Sequence, residues 1–171
     1  MGRRVDPLDD LPRPPNRLAR AINRLSAPNS APPLVLRAHR WLYERTRGRV
    51  GHGMIGAPAL LLYTCGRRSG FRRCSALVYG RDGGRIVLAA SNNGLDRAPS
   101  WLHNIRNHPE VELRVGRHQL WGRATVVEPS HPEYAHLWEV MNRSNHRRYD
   151  AYQAKTSRPI PLVVVTASQS R

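Results

Sequence analysis

Two hydrophobic periods divide this chain. Leu18, Ala21, Ile22 and Leu25 recur at the spacing of one helical face, with Arg17, Arg20 and Arg24 on the other side, which predicts a short basic amphipathic helix. Beyond a proline-containing break between residues 28 and 33, Leu34, Ala38, Trp41 and Leu42 repeat that spacing and predict a second helix ending near Gly48. From Ala59 onward the pattern becomes short runs rich in Val, Leu and Tyr separated by glycine-containing turns. These predict strands near residues 59–65, 72–79, 85–91, 110–116, 118–127 and 160–166. The links 66–70, 81–84 and 116–117 are hairpin-sized, so neighbouring strands are expected to be antiparallel and the sheet to curl or close into a barrel. Helices interrupt it at 99–107, opened by Pro99, and over a longer stretch at 131–155. Residues 1–15 show no period and read as a disordered tail, 16–56 as helices and a linker, and 57–171 as the barrel domain.

Charge changes this picture more than composition does. The 171 residues carry 28 basic and 12 acidic side chains, a net +16, and Lys155 is the sole lysine among the basic ones. A planar guanidinium matches phosphate or carboxylate two bonds at a time, so the balance points to an anionic partner: a multiply charged cofactor, an anionic lipid surface or nucleic acid. Arginine enrichment through a GC-rich genome accounts for the same excess without any partner. Nucleic acid is disfavoured, because exposed stacking aromatics and a recognition helix are missing from the pattern. No window approaches the length of a membrane span, and the arginine pair Arg3–Arg4 is not followed by an apolar export segment. The expectation is a cytoplasmic protein, peripheral at the inner face of the membrane if the N-terminal basic stripe lies on anionic lipid. Cys65 and Cys74 sit on either side of a predicted hairpin, reduced by default, with a cross-strand disulfide left open.

Several familiar signals fail on context. Gly51, Gly53 and Gly56 have the spacing of a dinucleotide loop, but a helix precedes them and a strand follows, the reverse of what that loop requires. Eight histidines include no HExxH pair, so no metal site is expected. Ser69 lies in a hairpin turn rather than opening a helix, which disfavours a hydrolase elbow.

One ordered constellation remains. The run Cys65, Gly66, Arg67, Arg68, Ser69, Gly70, Phe71, Arg72, Arg73 places four arginines around a turn. By itself this reads first as a solvated basic hairpin. It is followed by Ala89, Ala90 and Ser91 ending a strand, by Pro99, Ser100 and Trp101 opening a helix, and by Tyr149 and Tyr152 shortly before Arg158, Pro159, Ile160 and Pro161. Taken together, GRRSG, AAS, PSW and RPIP in this order resemble the deazaflavin-dependent nitroreductase family of mycobacteria, over roughly residues 57–166. The resemblance implies a mainly β, antiparallel split barrel of the FMN-binding type with flanking helices. It also implies coenzyme F420 as hydride donor and quinone-like or nitroaromatic acceptors.

Carried over by position, Arg67, Arg68, Ser69, Gly70 and Arg73 are expected to hold the coenzyme's phosphate and carboxylate tail, a role suited to guanidinium forks and turn amides. Ala89, Ala90 and Ser91 are expected along the deazaflavin ring. Trp101 is expected either on the ring or in the helix core. Tyr149 and Tyr152, three apart on a helix, are the candidate proton or hydrogen-bond donors over the acceptor, with Tyr79 a weaker pocket candidate. The sequence departs from the family pattern at His146, where a tyrosine is expected, at Asn92, where a lysine is, and at Ala76, where a proline is. Two rivals stay open: FMN in the same barrel, which one phosphate on Arg67 and Arg73 would satisfy, and a non-enzymatic module for anionic lipid or nucleic acid. Arg68 and Arg72 favour the longer anionic tail over FMN. A homodimer is compatible with all of this.

Overall fold

A computed structural model describes residues 57–168. The expected N-terminal tail and helices, with the basic stripe at Arg17, Arg20 and Arg24, lie outside the described residues. Six strands form a closed antiparallel barrel: β1 (Ala59–Cys65), β2 (Arg72–Asp82), β3 (Arg85–Ala89), β4 (Glu110–Val115), β5 (His118–Val127) and β6 (Leu162–Ser168), in the order β1-β2-β3-β6-β5-β4. The ring closes through a short β1–β4 pairing, Leu61 opposite Arg114 to Tyr63 opposite Glu112. Closure leaves no unpaired sheet edge among these strands.

The Val- and Leu-rich strands bury both faces, and this is why their runs are continuous rather than alternating. Ile86 and Leu88 of β3 and Val163 and Val165 of β6 point into the barrel with Leu60, Leu62, Leu113 and Val115. Their neighbours Val87, Ala89, Leu162 and Val164 face outward, against Leu137, Met141 and Tyr149. The barrel is plugged at one end by α1 (Ser100–Asn107), whose Trp101, Leu102 and Ile105 join the inner cluster. Burying an apolar side chain of this size stabilises by about 1.5–3 kcal/mol, so the two layers together hold the strands at fixed register.

The expected single helix over 131–155 is instead two, α2 (Tyr134–Ser144) and α3 (Arg148–Gln153). Between them His146 (φ 50°) and Arg147 (φ 57°) adopt the left-handed conformation. For residues with a Cβ this costs about 1–2 kcal/mol each. Local bonds offset it: the Arg147 amide donates to the Asn142 carbonyl at 2.8 Å, and the Arg147 guanidinium reaches Glu139 and Asp150. Neither glycine nor proline marks the break. Its consequence is that α3 turns Tyr149 toward the barrel while Asp150 faces back to α2, accepting from Trp138 Nε1 at 2.9 Å and Asn142 Nδ2 at 2.7 Å.

Two smaller expectations also shift. β3 ends at Ala89 rather than residue 91, and β6 begins at Leu162, after Pro161, rather than at 160. Cys74 stands opposite Tyr63 and Cys65 opposite Arg72, so the two cysteines are offset by two residues and no disulfide joins them.

Candidate functional site

The β1–β2 turn is built around Gly66. A Cβ there would meet Ser69 Oγ at 2.8 Å and the Phe71 carbonyl at 3.1 Å, so the tight loop requires glycine. The Gly66 carbonyl accepts from the Ser69 and Gly70 amides at 3.2 and 2.7 Å, and Gly70 closes the turn with φ 68°. The Phe71 amide is taken by Ser69 Oγ and the Arg67 amide by Asn104 Oδ1 at 3.1 Å. The amides of residues 67, 69, 70 and 71 are thus spent inside the protein. The turn thus presents its guanidinium groups with few of the exposed amides expected from the sequence.

Arg67, Arg68, Ser69 and Arg73 line a cavity of about 460 Å³ with Gly66, Cys74, Ser75, Ser100, Trp101 and Asn104. Gly70 shapes the turn without lining it. Arg72 does not belong to this group. Successive residues of a strand point to opposite faces, and Arg72 lies on the other side of β2, where it donates to Glu112 at 2.6 Å and sits 3.6 Å above the Tyr63 ring. Of the four arginines around the turn, three line the cavity. Burial, then the charges of Arg67 and Arg106, hold His103 below its ordinary pKa.

Asn104 is a residue that sequence reasoning missed. Buried on α1, it donates to Thr64 Oγ1 at 3.0 Å while accepting from the Arg67 amide, and so ties the arginine turn to the helix that carries Trp101. A lone asparagine inside a helix carries no sequence signal for such a role.

A second cavity of about 460 Å³ adjoins the first. Its walls include Ala76, Leu77 and Val78 of β2, Ala89 and Ser91, Asn92 and Asn93, Trp101, and on the far side Asn145, Arg148, Tyr149 and Tyr152. Ala90 is not among them. It is fully buried in the inner core, with its amide on the Pro161 carbonyl at 2.9 Å. Tyr79 likewise belongs to the barrel core, and its neighbour Val78 takes the wall position. Trp101 packs in the inner core and also lines both cavities.

The loop after β3 is held from behind by Arg158. Its Nη2 donates to the carbonyls of Ala90, Ser91 and Leu95 at 3.2, 3.1 and 3.3 Å. This gives the arginine of the RPIP motif a positioning role that the sequence did not show. Gly94, at φ 80°, lets the same loop touch α3, because a Cβ there would come within 2.7 Å of the Tyr152 carbonyl. Tyr149 and Tyr152 meet edge to face with ring centroids 5.9 Å apart. Burial, followed by the neighbouring Tyr152, pushes the Tyr149 hydroxyl far above its usual pKa, against a smaller opposing hydrogen bond from Asn145. It is a neutral hydrogen-bond donor throughout the physiological range.

The two cavities share Cys74, Ser75 and Trp101, so they form one elongated groove. Among the described residues four arginines line it and no carboxylate does. A ligand with an anionic tail and a flat polar ring fits this donor set: guanidinium forks at one end, small side chains, indole and phenol at the other. Among the described residues no group of three or more His, Cys, Asp or Glu side chains is placed to hold a metal ion.

Comparison with known proteins assigns the chain to a family. The family model of F420H(2)-dependent quinone reductases matches residues 35–167. An F420H(2)-dependent quinone reductase of Mycobacterium tuberculosis is 44% identical over 133 residues, covering 77% of this chain and 89% of the relative. A second relative from that organism, named as a putative F420H(2)-dependent quinone reductase, is 30% identical over 108 residues, covering 63% of this chain and 88% of its own length. Among solved structures, one titled an F420-H2 dependent reductase superposes with a TM-score of 0.57 at 31% identity, over 63% of this chain and 93% of its own. Another, titled a domain-swapped dimer, gives 0.58 at 28% identity over 74% of this chain and 97% of its own. The chain belongs to the F420H(2)-dependent quinone reductase family.

Proposed function

We propose that the groove holds coenzyme F420 along its length and that the acceptor, a quinone, enters between the ring position and the α3 tyrosines. The observation that carries this reading is the continuity of the two cavities through Cys74, Ser75 and Trp101, with three arginines at one end and paired tyrosines at the other. Arg67, Arg68 and Arg73 would hold the phosphate and carboxylates, with Ser69 Oγ, which accepts from Arg73 at 3.3 Å, keeping that guanidinium in place. Ala89, Ser91 and Trp101 would flank the ring, while Ala90 and Gly70 set the backbone that presents them. When bound, the reduced coenzyme supplies a hydride. The protein's own work is to fix the tail electrostatically, to seat the ring against a loop clamped by Arg158, and to place neutral phenols beside the acceptor oxygen. Tyr152, the less buried of the pair, is the phenol open to exchange a proton with solvent; Tyr149 orients by hydrogen bonding. The apolar wall Ala76–Val78 also admits a nitroaromatic ring as a second acceptor class.

The test is a fluorescence titration of coenzyme F420 against FMN at matched salt. Tighter binding of F420, weakening as salt rises, supports the reading, since three guanidiniums exceed what one phosphate uses. Equal affinity, or tighter FMN, overturns it.

A further inference from the structure

Helix α3 has two working faces. Tyr149 and Tyr152 line the acceptor cavity, while Asp150 and Gln153 line a separate cleft of about 530 Å³ that shares no lining residue with the coenzyme groove. Its floor is aromatic. Tyr134 and Trp138, four apart on α2, stack with ring centroids 5.7 Å apart and planes 20° from parallel, and two exposed prolines, Pro129 and Pro159, stand beside them. The polar groups of the cleft are engaged within the chain. The Tyr134 hydroxyl donates to the Ile160 carbonyl at 2.8 Å, Trp138 Nε1 to Asp150 at 2.9 Å, and Gln153 Nε2 to the Thr156 and Arg158 carbonyls at 3.1 and 3.0 Å. Asp150, the carboxylate among the described lining residues, is balanced by Arg147 at 2.9 Å. What is left for a ligand is ring face and apolar edge. That chemistry suits proline, whose ring packs against indole and phenol and whose preformed extended helix loses little entropy on docking.

We infer that this cleft is the dock for residues 11–15 of the same chain, Leu-Pro-Arg-Pro-Pro, seated as a polyproline helix, and that seating them braces α3 from the face opposite its tyrosines. A polyproline helix repeats every three residues, so prolines three apart share a face. Of the seven prolines in residues 1–56, one pair alone has that spacing, Pro12 and Pro15. Charge selects the cavity. Among the described residues four arginines line the coenzyme groove, which repels Arg13, whereas no arginine lines this cleft. Length permits the contact. The 41 residues from 16 to 56 separate the segment from Ala57. A coil of that length spans roughly 30–40 Å, more than twice the radius of gyration of about 13 Å for a domain of this size.

The test is photocrosslinking in the full chain without coenzyme, with p-benzoylphenylalanine in place of Asp10, immediately before the segment, followed by peptide mapping. Adducts to residues 129–138 or 150–159 within a single copy are expected. Adducts elsewhere, adducts joining two copies, or no adduct overturn the inference. Ser157→Trp fills the cleft from its exposed rim, and the double substitution Pro12→Ser with Pro15→Ser alters no residue of the barrel. Each is expected to lower the adduct yield about fivefold or more. Should Ser157→Trp fail to fold, the proline variant decides, and an unchanged yield overturns the dock. Hydrogen exchange without the crosslinker reads the brace: amides of α3 are expected to exchange about threefold faster in the double proline variant than in wild type, and those of the arginine turn equally in both. Equal exchange at α3 overturns the bracing of that helix.

Discussion

The two ends of the groove are built on opposite principles. At the β1–β2 turn the functional groups are exposed, charged and consecutive in sequence, held by a loop whose amides are consumed within the chain. At the α3 end they are buried or half-buried, neutral except for Arg148, and gathered from β2, the loop after β3 and two helices. The first end can hold charge at long range but discriminates little by shape. The second discriminates by shape, because Ala89, Tyr149 and Tyr152 of its wall belong to the packed layer between barrel and helices and Trp101 to the inner core. Substitutions should therefore change binding without stability at the first end, and couple the two at the second.

The sharpest way to break this contrast is at neighbouring arginines of β2. Arg73→Ala, or Arg67→Ala across the turn, is expected to weaken coenzyme binding by about 1.5–3 kcal/mol with little change in melting temperature. Arg72→Ala should do the reverse. It strips the ion pair from Glu112, a carboxylate only 5% exposed that keeps a bond from Gln119 at 2.9 Å. The expected cost is about 1–2 kcal/mol of stability, with coenzyme affinity changed less than about threefold. Titration and thermal melting of the three variants decide this. If Arg72→Ala weakens the coenzyme as much as Arg73→Ala does, the assignment of faces on β2 is wrong.

This pair of residues also shows where sequence reading reaches and where it stops. The six strands were legible because hairpin-sized links and runs of Val and Leu leave few alternatives, and the turn was legible because its chemistry is local. The direction of Arg72 was not, although strand alternation alone places it on the face opposite Arg73. Counting four arginines ignored that period. The break at His146–Arg147 left no trace either, because it is stabilised by Asn142, Glu139 and Asp150 rather than by glycine or proline. Arg158 and Asn104 act through carbonyls and amides distant in the chain, and such contacts exist only after folding.

Within the α3 end, a second comparison separates the tyrosines. Tyr152→Phe is expected to lower kcat with a quinone and leave coenzyme affinity intact, since Tyr152 is the less buried of the pair. Tyr149→Phe removes a buried hydroxyl bonded to Asn145 and should cost about 0.5–1.5 kcal/mol of stability, with a smaller effect on kcat. Steady-state kinetics beside denaturant unfolding distinguishes them. Unchanged kcat in both variants removes the phenols from the reaction.

The smallest expected effect is that of acid on the α2–α3 junction. Burial raises the pKa of Asp150, but hydrogen bonds from Trp138 and Asn142 and the charge of Arg147 outweigh it, so the folded carboxyl titrates below its usual value. A group whose pKa is depressed by folding contributes stability that is present above its unfolded pKa and disappears as pH falls through the folded one. The loss should therefore begin as pH falls toward about 4 and deepen below it. Asp150→Asn keeps the acceptor oxygen for Trp138 or Asn142 but cannot titrate. It should be less stable than wild type at neutral pH and show a flatter decline between about pH 5 and pH 3, where the titration acts. Asp82, held below its usual pKa by hydrogen bonds from His136 and Arg85 on the β2–β3 hairpin, titrates in the same direction and leaves a residual slope in the variant. Hydrogen exchange resolves the two sites. On acidification, amides of α3 should lose protection in wild type but not further in Asp150→Asn, while those of the arginine turn, whose cavity no carboxylate among the described residues lines, should change alike in both proteins.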